Sequence, residues 1–203
     1  MQKLKWAFWG LVLLIAALFL DYNLPQHDIV RITDSYNRLT PMGSINRYFF
    51  AAPDSGTLAT SAPDIRFIEA IYPNGKPIVF RNEDTGFWPP YLKFDSSNLQ
   101  ADATNYKSTA EAPKWVSVTH YGWRITWESI YPNAVKINPV SGPDVRIIPW
   151  VNIILLILLA AAIFMARRMW LQFWERMVDP AVASVEEAGD KARGFLGRLF
   201  GRK

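Results

Sequence analysis

The sequence contains no cysteine, and this absence excludes several classes of protein at once. A chain without thiols has no disulfide scaffold, no thiolate zinc site, no iron–sulfur cluster and no cysteine nucleophile. Histidine is also scarce, with 2 residues among 203. The lack of cysteine does not indicate the cellular compartment, since a domain outside the cytoplasm does not require disulfides.

The motifs of several large enzyme classes are missing too. The chain has no Gly-x-Ser-x-Gly, no phosphate-binding loop and no dinucleotide fingerprint, which argues against serine esterases, nucleotide hydrolases and Rossmann enzymes. Hydrophobic residues make up 50% of the chain, with Lys+Arg 22 against Asp+Glu 18. This composition excludes a disordered or collagen-like chain.

Two long apolar stretches lie near the two ends of the sequence. No charge interrupts residues 6–20 or residues 147–166, and the first stretch continues to residue 24 at a polar edge. Because about 20 apolar residues cross about 30 Å of hydrocarbon, we predict transmembrane helices over residues 6–24 and 147–166. A cleaved signal peptide is the alternative for the first, but Trp6 and Trp9 resemble an interfacial anchor and favour retention.

The charges around these stretches predict the membrane topology. Basic residues lie outside both stretches on the far sides, at Lys3, Lys5, Arg167 and Arg168. By the positive-inside rule, residues 1–5 and 167–203 are cytoplasmic and residues 25–146 form an external domain. The segment from residue 21 to residue 146 has twelve Lys and Arg against thirteen Asp and Glu, a net charge of −1. That value agrees with an external location.

The central domain has the pattern of short strands. Alternating β-branched and aromatic residues predict strands at residues 29–33, 64–71, 77–81, 115–121 and 134–137. Asn74-Gly75 predicts a tight hairpin within residues 73–76. Asp95 and Ser96 are candidate caps for a short helix over residues 97–106, and the composition of residues 49–63 predicts an exposed loop. We expect a small barrel of the oligonucleotide/oligosaccharide-binding type or a compact sandwich.

The segment after the second apolar stretch predicts one more helix. Asp179-Pro180 indicates a break, and apolar residues then recur at spacings of three and four over residues 181–200. We therefore expect a cytoplasmic amphipathic helix. It would lie on the anionic inner leaflet or dock against a partner.

Five segments of the chain resemble one known family. They are residues 24–31 (LPQHDIVR), 73–77 (PNGKP), 81–86 (RNEDTG), 94–101 (FDSSNLQA) and 118–124 (VTHYGWR). The chain is similar to the family catalogued as domain of unknown function 1523 over nearly its whole length. The resemblance implies a bacterial inner-membrane protein with two spans and a periplasmic domain between them. It implies no catalytic or binding residues, because the family's function is unassigned.

The two histidines and one neighbouring carboxylate form the first candidate site. His27, Asp28 and His120 supply ligands that zinc or iron accepts, but their spacing matches no short metal motif. The alternative is structural, with His27 at the start of a strand and His120 hydrogen-bonded locally. We favour the structural interpretation and predict no metal and no cofactor.

Glu83 and Asp84 form a second candidate, for carboxylate catalysis. General acid–base work on a glycosidic bond needs two carboxyl groups on opposite sides of that bond, and neighbours in one turn rarely provide this. We expect instead that Asn82, Asp84 and Thr85 satisfy backbone amides in the loop. No complete catalytic set remains, so we predict that the protein is not an enzyme.

Clustered aromatic residues and an arginine form the third candidate, a binding surface. Such residues are enriched at binding hot spots and stacking platforms, and the candidates are Tyr121, Trp123, Arg124, Trp127, Trp88 and Tyr91. Core packing and contact with lipid headgroups are the alternatives. Gly122 indicates a bulge or a close backbone approach beside Trp123.

These features predict a non-catalytic accessory or scaffold protein. Its periplasmic domain would bind another envelope protein or a subunit of a membrane complex, and the protein would contact membrane lipids. The alternative is a domain that binds a small ligand or lipid, with a sensory role. Nucleic acid is not expected as a partner, because an external domain of net charge −1 lacks the basic face that phosphates require.

Overall fold

A computed structural model of the protein describes residues 2–40, 64–85 and 91–201, and the chain divides after Pro149 into two compact units. The first unit begins with helix α1 (Gln2–Asn23), which buries none of its side chains. Its 22 residues extend about 33 Å at about 1.5 Å per residue, close to the hydrocarbon thickness of about 30 Å. The first predicted span is therefore a helix long and apolar enough to cross a membrane.

Five strands follow α1. They are β1 (Gln26–Leu39), β2 (Asp64–Ile71), β3 (Pro77–Arg81), β4 (Trp115–Tyr121) and β5 (Asn133–Pro139). The predicted strands at residues 64–71, 77–81 and 115–121 are confirmed with the same bounds. The hairpin between β2 and β3 is confirmed as well, with Gly75 at a φ of +80° and its N–H donating to the carbonyl of Tyr72 at 2.9 Å. Glycine adopts this left-handed conformation without a steric penalty.

The strands close into a barrel in the order β1-β2-β3-β5-β4. Neighbouring strands are antiparallel except β3 and β5, which run parallel where Arg81 pairs with Asn133. A closed five-stranded barrel confirms the barrel alternative and excludes the sandwich for this domain.

Strand β1 is much longer than the five residues predicted for it. Residues 26–31 pair with β4, residues 31–39 pair with β2, and an irregularity between Ile32 and Asp34 lies in the second pairing. A bulge bends a strand and increases its twist, so one strand can serve two partners and close the barrel. The sequence did not predict the extension of β1 beyond Thr33, because the residues that follow are mostly polar and resemble a loop in composition.

The barrel interior and one short helix form the core. Helix α2 (Ser96–Asn105) lies between β3 and β4, and Asp95 caps it by accepting the N–H of Asn98 at 3.1 Å. The predicted helix over residues 97–106 and its cap are confirmed. Leu99 and Ala103 of α2 join the strand residues of the main core: Val30, Ile32, Ile68, Ala70, Ile78, Phe80, Val116, Val118, Ala134 and Ile137.

The second unit is helical throughout its described residues up to Phe200. Helix α3 (Trp150–Phe173) contains most of the second predicted span and continues through a π-helical turn (Trp174–Val178) into α4 (Asp179–Phe200). The predicted break at Asp179-Pro180 is wrong. The N–H of Asp179 donates to the carbonyl of Trp174, and this wider turn accommodates the ring of Pro180, which an α-helical carbonyl four residues earlier would crowd. The helix predicted over residues 181–200 is present.

Candidate functional site

The barrel interior brings Asp28 and His120 together. Gln26 pairs with His120 and Asp28 with Val118 across β1 and β4, so these side chains share the inner face. His120 Nε2 lies 3.0 Å from Asp28 Oδ2, and Tyr72 Oη donates to the same oxygen at 2.5 Å. His120 is 4% exposed. The result is a Tyr72–Asp28–His120 hydrogen-bond chain within the barrel.

The electrostatics of this chain keep Asp28 charged. Burial opposes ionisation of Asp28, but the hydrogen bonds from His120 and Tyr72 outweigh it and hold the pKa of Asp28 below its usual value. Burial and the hydrogen bond to Asp28 raise the pKa of Tyr72. Burial, followed by the proximity of His120, lowers the pKa of His27. Asp28 is therefore an anion at neutral pH, with Tyr72 as a neutral donor to it.

The three candidate metal ligands do not come together in the fold. His27 precedes Asp28 in β1, and neighbouring residues of a strand point to opposite faces. Among residues 2–40, 64–85 and 91–201, no three His, Asp or Glu side chains are grouped so that they could hold a metal ion. Of the candidate trio, only Asp28 and His120 form a hydrogen-bonded pair. The structural alternative expected a local hydrogen bond for His120, whereas its partner Asp28 lies on the neighbouring strand β1.

A buried lysine forms a second polar site, which sequence reasoning missed. Lys93 Nζ donates to Asn82 Oδ1 at 2.5 Å and to the carbonyl of Ala134 at 2.7 Å, and Lys93 is 7% exposed. Burial lowers the pKa of Lys93 to about 7, although the charges of Asp84 and Glu83 act in the opposite direction. The only signal in the sequence was the position of this lysine between Leu92 and Phe94.

Polar side chains in the loop after β3 form hydrogen bonds with backbone groups of the following segment. Asp84 Oδ1 accepts the N–H of Ser96 at 2.8 Å and Thr85 Oγ1 accepts the N–H of Lys93 at 3.1 Å. The predicted role in satisfying amides is confirmed for Asp84 and Thr85. Asn82 differs, because its Nδ2 donates to the carbonyl of Ser96 at 2.8 Å. Glu83 forms an ion pair with the buried Arg81 at 3.2 Å.

Three of the predicted binding residues meet at the C-terminal turn of α1. Tyr91 stacks on Tyr121 with ring centroids 4.6 Å apart, and Tyr91 Oη donates to the carbonyl of Asn23 at 2.5 Å. Trp123 Nε1 donates to Asp21 Oδ2 at 2.8 Å. Tyr91, Tyr121 and Trp123 therefore connect the barrel to the apolar helix.

Gly122 completes this junction. Its N–H donates to the carbonyl of Tyr22 at 2.9 Å, and its φ is +89°. A Cβ at this position would lie 3.6 Å from the Tyr22 ring and 3.7 Å from the Cα of Pro132. The close backbone approach predicted for Gly122 is confirmed, and its partner is the end of α1.

The loop between β4 and β5 holds two further predicted binding residues. Ile125 and Ile130 pair across this loop, and Arg124 Cζ lies 4.2 Å from the centroid of the Tyr131 ring. Trp127, at the tip, is 80% exposed. Trp88, the remaining candidate, lies outside the described residues.

A pocket of about 300 Å³ opens at the other end of β4. It combines aromatic and proline side chains from the segments before β4 and after β5, and its lining is Tyr106, Pro113, Lys114, Trp115, Pro139, Val140 and Ser141. The sequence signal was weak, since Pro113 and Pro139 read there as punctuation at strand ends. This concave surface combines half-buried rings with an exposed lysine, a mixture that can receive another molecule.

Comparison with known proteins identifies the family. The model of the family described as protein of unknown function, DUF1523, matches residues 1–174. A protein from Haemophilus influenzae described as "Uncharacterized protein" is 34% identical over 148 residues, which cover 72% of this chain and 79% of that protein. No solved structure matches the chain. The resemblance seen in five sequence segments is confirmed, and the chain belongs to the DUF1523 family.

Proposed function

We propose that this protein is a non-catalytic accessory or scaffold subunit of the bacterial inner membrane. Its periplasmic barrel binds another envelope protein or a subunit of a membrane complex. The pocket beside Trp115 is the observation that carries this proposal. The fixed junction between α1 and the barrel supports it.

The lining of the pocket suits a protein segment. Trp115 and Tyr106 are half-buried and present ring surfaces, and Pro113 and Pro139 hold the backbone stiffly around them. Rigid aromatic and proline surfaces bind with little loss of conformational entropy, which is why aromatic side chains dominate interface hot spots. Lys114 is exposed at the pocket and adds one cation. An extended segment with apolar side chains and a carboxylate would match this surface.

The junction with α1 fixes the orientation of the pocket. Strand β4 runs from Trp115, in the pocket, to Tyr121, which contacts the aromatic residues around the end of α1. Six steps of about 3.3 Å place the pocket about 20 Å from that end. A pocket held at a fixed distance from a membrane anchor is what docking against a second membrane protein requires.

The membrane placement is part of the same proposal. Helix α1 and the first part of α3 cross the inner membrane, both termini are cytoplasmic, and α4 lies on the cytoplasmic leaflet or against a partner. Basic residues at both cytoplasmic ends support this orientation: Lys3, Lys5, Arg167, Arg168 and Arg176.

The buried polar groups support a structural role over a catalytic one. Asp28 Oδ2 already accepts hydrogen bonds from His120 and Tyr72. The amine of Lys93 donates to two oxygens inside the fold. Each candidate acid or base thus holds elements of the barrel together.

The direct test is purification of the tagged full-length protein from its native membranes in mild detergent. We expect one partner in a fixed ratio to the protein. Lys114→Glu should reduce the bound partner at least several-fold, because it reverses the charge at the pocket. Lys76→Glu is the matched control, since Lys76 is also an exposed lysine but lies on the β2–β3 hairpin, outside the pocket lining. Recovery of the protein alone, or equal loss in both variants, contradicts the proposal.

A small ligand is the second candidate for the same pocket. The volume of about 300 Å³ lies at the lower end of the range for ligand sites, about 300–1,000 Å³. A ligand binder would be purified without a protein partner. Its thermal unfolding temperature would rise with added ligand, and Trp115→Ala would abolish that rise.

A further inference from the structure

The exposed apolar side chains of the barrel are unevenly placed. Between Gln26 and Pro139, the described residues leave four large apolar side chains exposed: Leu39, Leu92, Phe94 and Trp127. Three of the four lie on two loops, residues 91–94 and residues 122–132. Trp127 is the most exposed of them, at 80%.

Both loops are attached to the C-terminal turn of α1. In the first loop, the hydroxyl of Tyr91 donates to the carbonyl of Asn23 at 2.5 Å. The second begins at Gly122, whose N–H donates to the carbonyl of Tyr22 at 2.9 Å, and continues through Trp123, which donates to Asp21. Three of the four exposed apolar side chains therefore lie on loops that are hydrogen-bonded to the last turn of the apolar helix.

Each of these two loops contains one residue in a strained backbone conformation. Leu92 has a φ of +47° and Ser129 a φ of +54°, and they are the two non-glycine residues with positive φ in the described chain. The left-handed conformation is unfavourable for leucine because its Cβ crowds the following carbonyl oxygen, so surrounding contacts must maintain it. The pairing of Ile125 with Ile130 supplies such a constraint in the second loop.

The length of α1 places these loops at the membrane surface. A helix of about 33 Å just exceeds a hydrocarbon layer of about 30 Å, so the turn at Asp21 and Tyr22 reaches the headgroup layer. Trp127 follows Trp123 by four residues, so its backbone lies within roughly 14 Å of Trp123. The tip of the loop is within reach of the same layer.

We infer that the loops at residues 91–94 and 122–132 enter the lipid headgroup layer around the outer end of α1, with Trp127 as the anchor. Tryptophan favours this layer because its ring is apolar and its N–H is polar. Arg124, exposed next to this site, provides a cation for lipid phosphates. The inference rests on the membrane placement in the proposed function, and it commits to lipid as the occupant. The barrel is then held at a second point besides its helix.

The absence of cysteine makes a clean test possible. Thr126→Cys places a nitroxide label next to Trp127 in the full-length protein, and Ala110→Cys places one on an exposed loop near the other end of β4. Leu13→Cys reports on the middle of α1. The proteins are reconstituted in vesicles of phosphatidylethanolamine and phosphatidylglycerol. Collision of each label with oxygen and with a water-soluble nickel complex is then measured.

We expect the label at Thr126 to collide with nickel several-fold less often than the label at Ala110. Trp127→Ala in the Thr126→Cys protein should restore most of the nickel collisions, and Trp127→Phe should restore fewer. Equal nickel collisions at Thr126 and Ala110 would overturn the inference. Protection at Thr126 that occurs in native membranes but not in lipid vesicles would also overturn it, because a protein would then cover the loop.

The label at Leu13 separates this inference from the membrane placement on which it rests. Oxygen-rich, nickel-poor collisions at Leu13 with free access at Thr126 would refute only the headgroup contact. Free nickel access at Leu13 would refute the membrane placement itself, and the inference with it.

Discussion

The stability of the barrel should rise between pH 7 and pH 9, and Lys93 is the reason. Burial lowers the pKa of Lys93 from its ordinary 10.5 to about 7. Above pH 7 the folded protein therefore holds a neutral amine, whereas the unfolded chain keeps the proton until about pH 10.5. Because the unfolded state binds more protons over this interval, the free energy of unfolding increases with pH.

The two pKa values fix the size of the effect. Integrating the difference in bound protons from pH 7 to pH 9 gives a gain of about 2 kcal/mol. For a domain of this size, such a gain raises the thermal midpoint by roughly 5–10 °C. Replacing Lys93 with Met removes the titration, and it also leaves Asn82 Oδ1 and the carbonyl of Ala134 without their donor. We therefore expect Lys93→Met to be less stable than the wild type at pH 9. Its free energy of unfolding should change little between pH 7 and pH 9.

The assay is denaturant unfolding of the full-length protein in detergent, followed by tryptophan fluorescence at several pH values. Lys136→Met serves as the control, because Lys136 is exposed on β5 and should leave the pH dependence of the wild type unchanged. A wild-type free energy of unfolding that is constant from pH 7 to pH 9 would contradict this role of Lys93. So would an equal rise in Lys93→Met, since another group would then be titrating.

Three further substitutions test the junction, the interior chain and the helix cap by the same unfolding assay. Gly122→Ala should cost about 1–2 kcal/mol, because its φ is +89°, whereas Gly142→Ala has open space and should change little. Tyr72→Phe should cost about 1 kcal/mol. The stability that Asp28 contributes through its lowered pKa is present at neutral pH and is lost on acidification below about pH 4, so Tyr72→Phe should also reduce that loss. Asp95→Ala should cost about 1 kcal/mol by removing the cap of α2, and an unchanged stability would contradict the cap assignment.

The sequence was informative wherever local pattern decides structure. Strands β2, β3 and β4 follow from alternating side chains, and the hairpin follows from Asn74-Gly75, because these signals act over a few residues. The cap at Asp95 is equally local. The extension of β1 to Leu39 is not, since residues 34–39 form a strand only because β2 pairs with them.

In the candidate sites, too, the sequence predicts local features but not the contacts between distant residues. Gly122 signalled a close approach, but the sequence did not show that the end of α1 is what approaches it. The chain formed by Tyr72, Asp28 and His120 depends on strand order, which brings together residues up to 92 positions apart. Lys93 was missed because a single lysine carries no pattern, and its burial depends on the tertiary fold.

Site-specific photo-cross-linking at Lys114 determines whether a protein partner docks in the pocket. A photoreactive amino acid replaces Lys114 in the full-length protein within living cells, and the same replacement at Lys76 is the control. A partner docked in the pocket predicts one defined protein adduct from position 114 and none from position 76. Absence of any protein adduct at position 114, or the same adducts from both positions, would contradict the account.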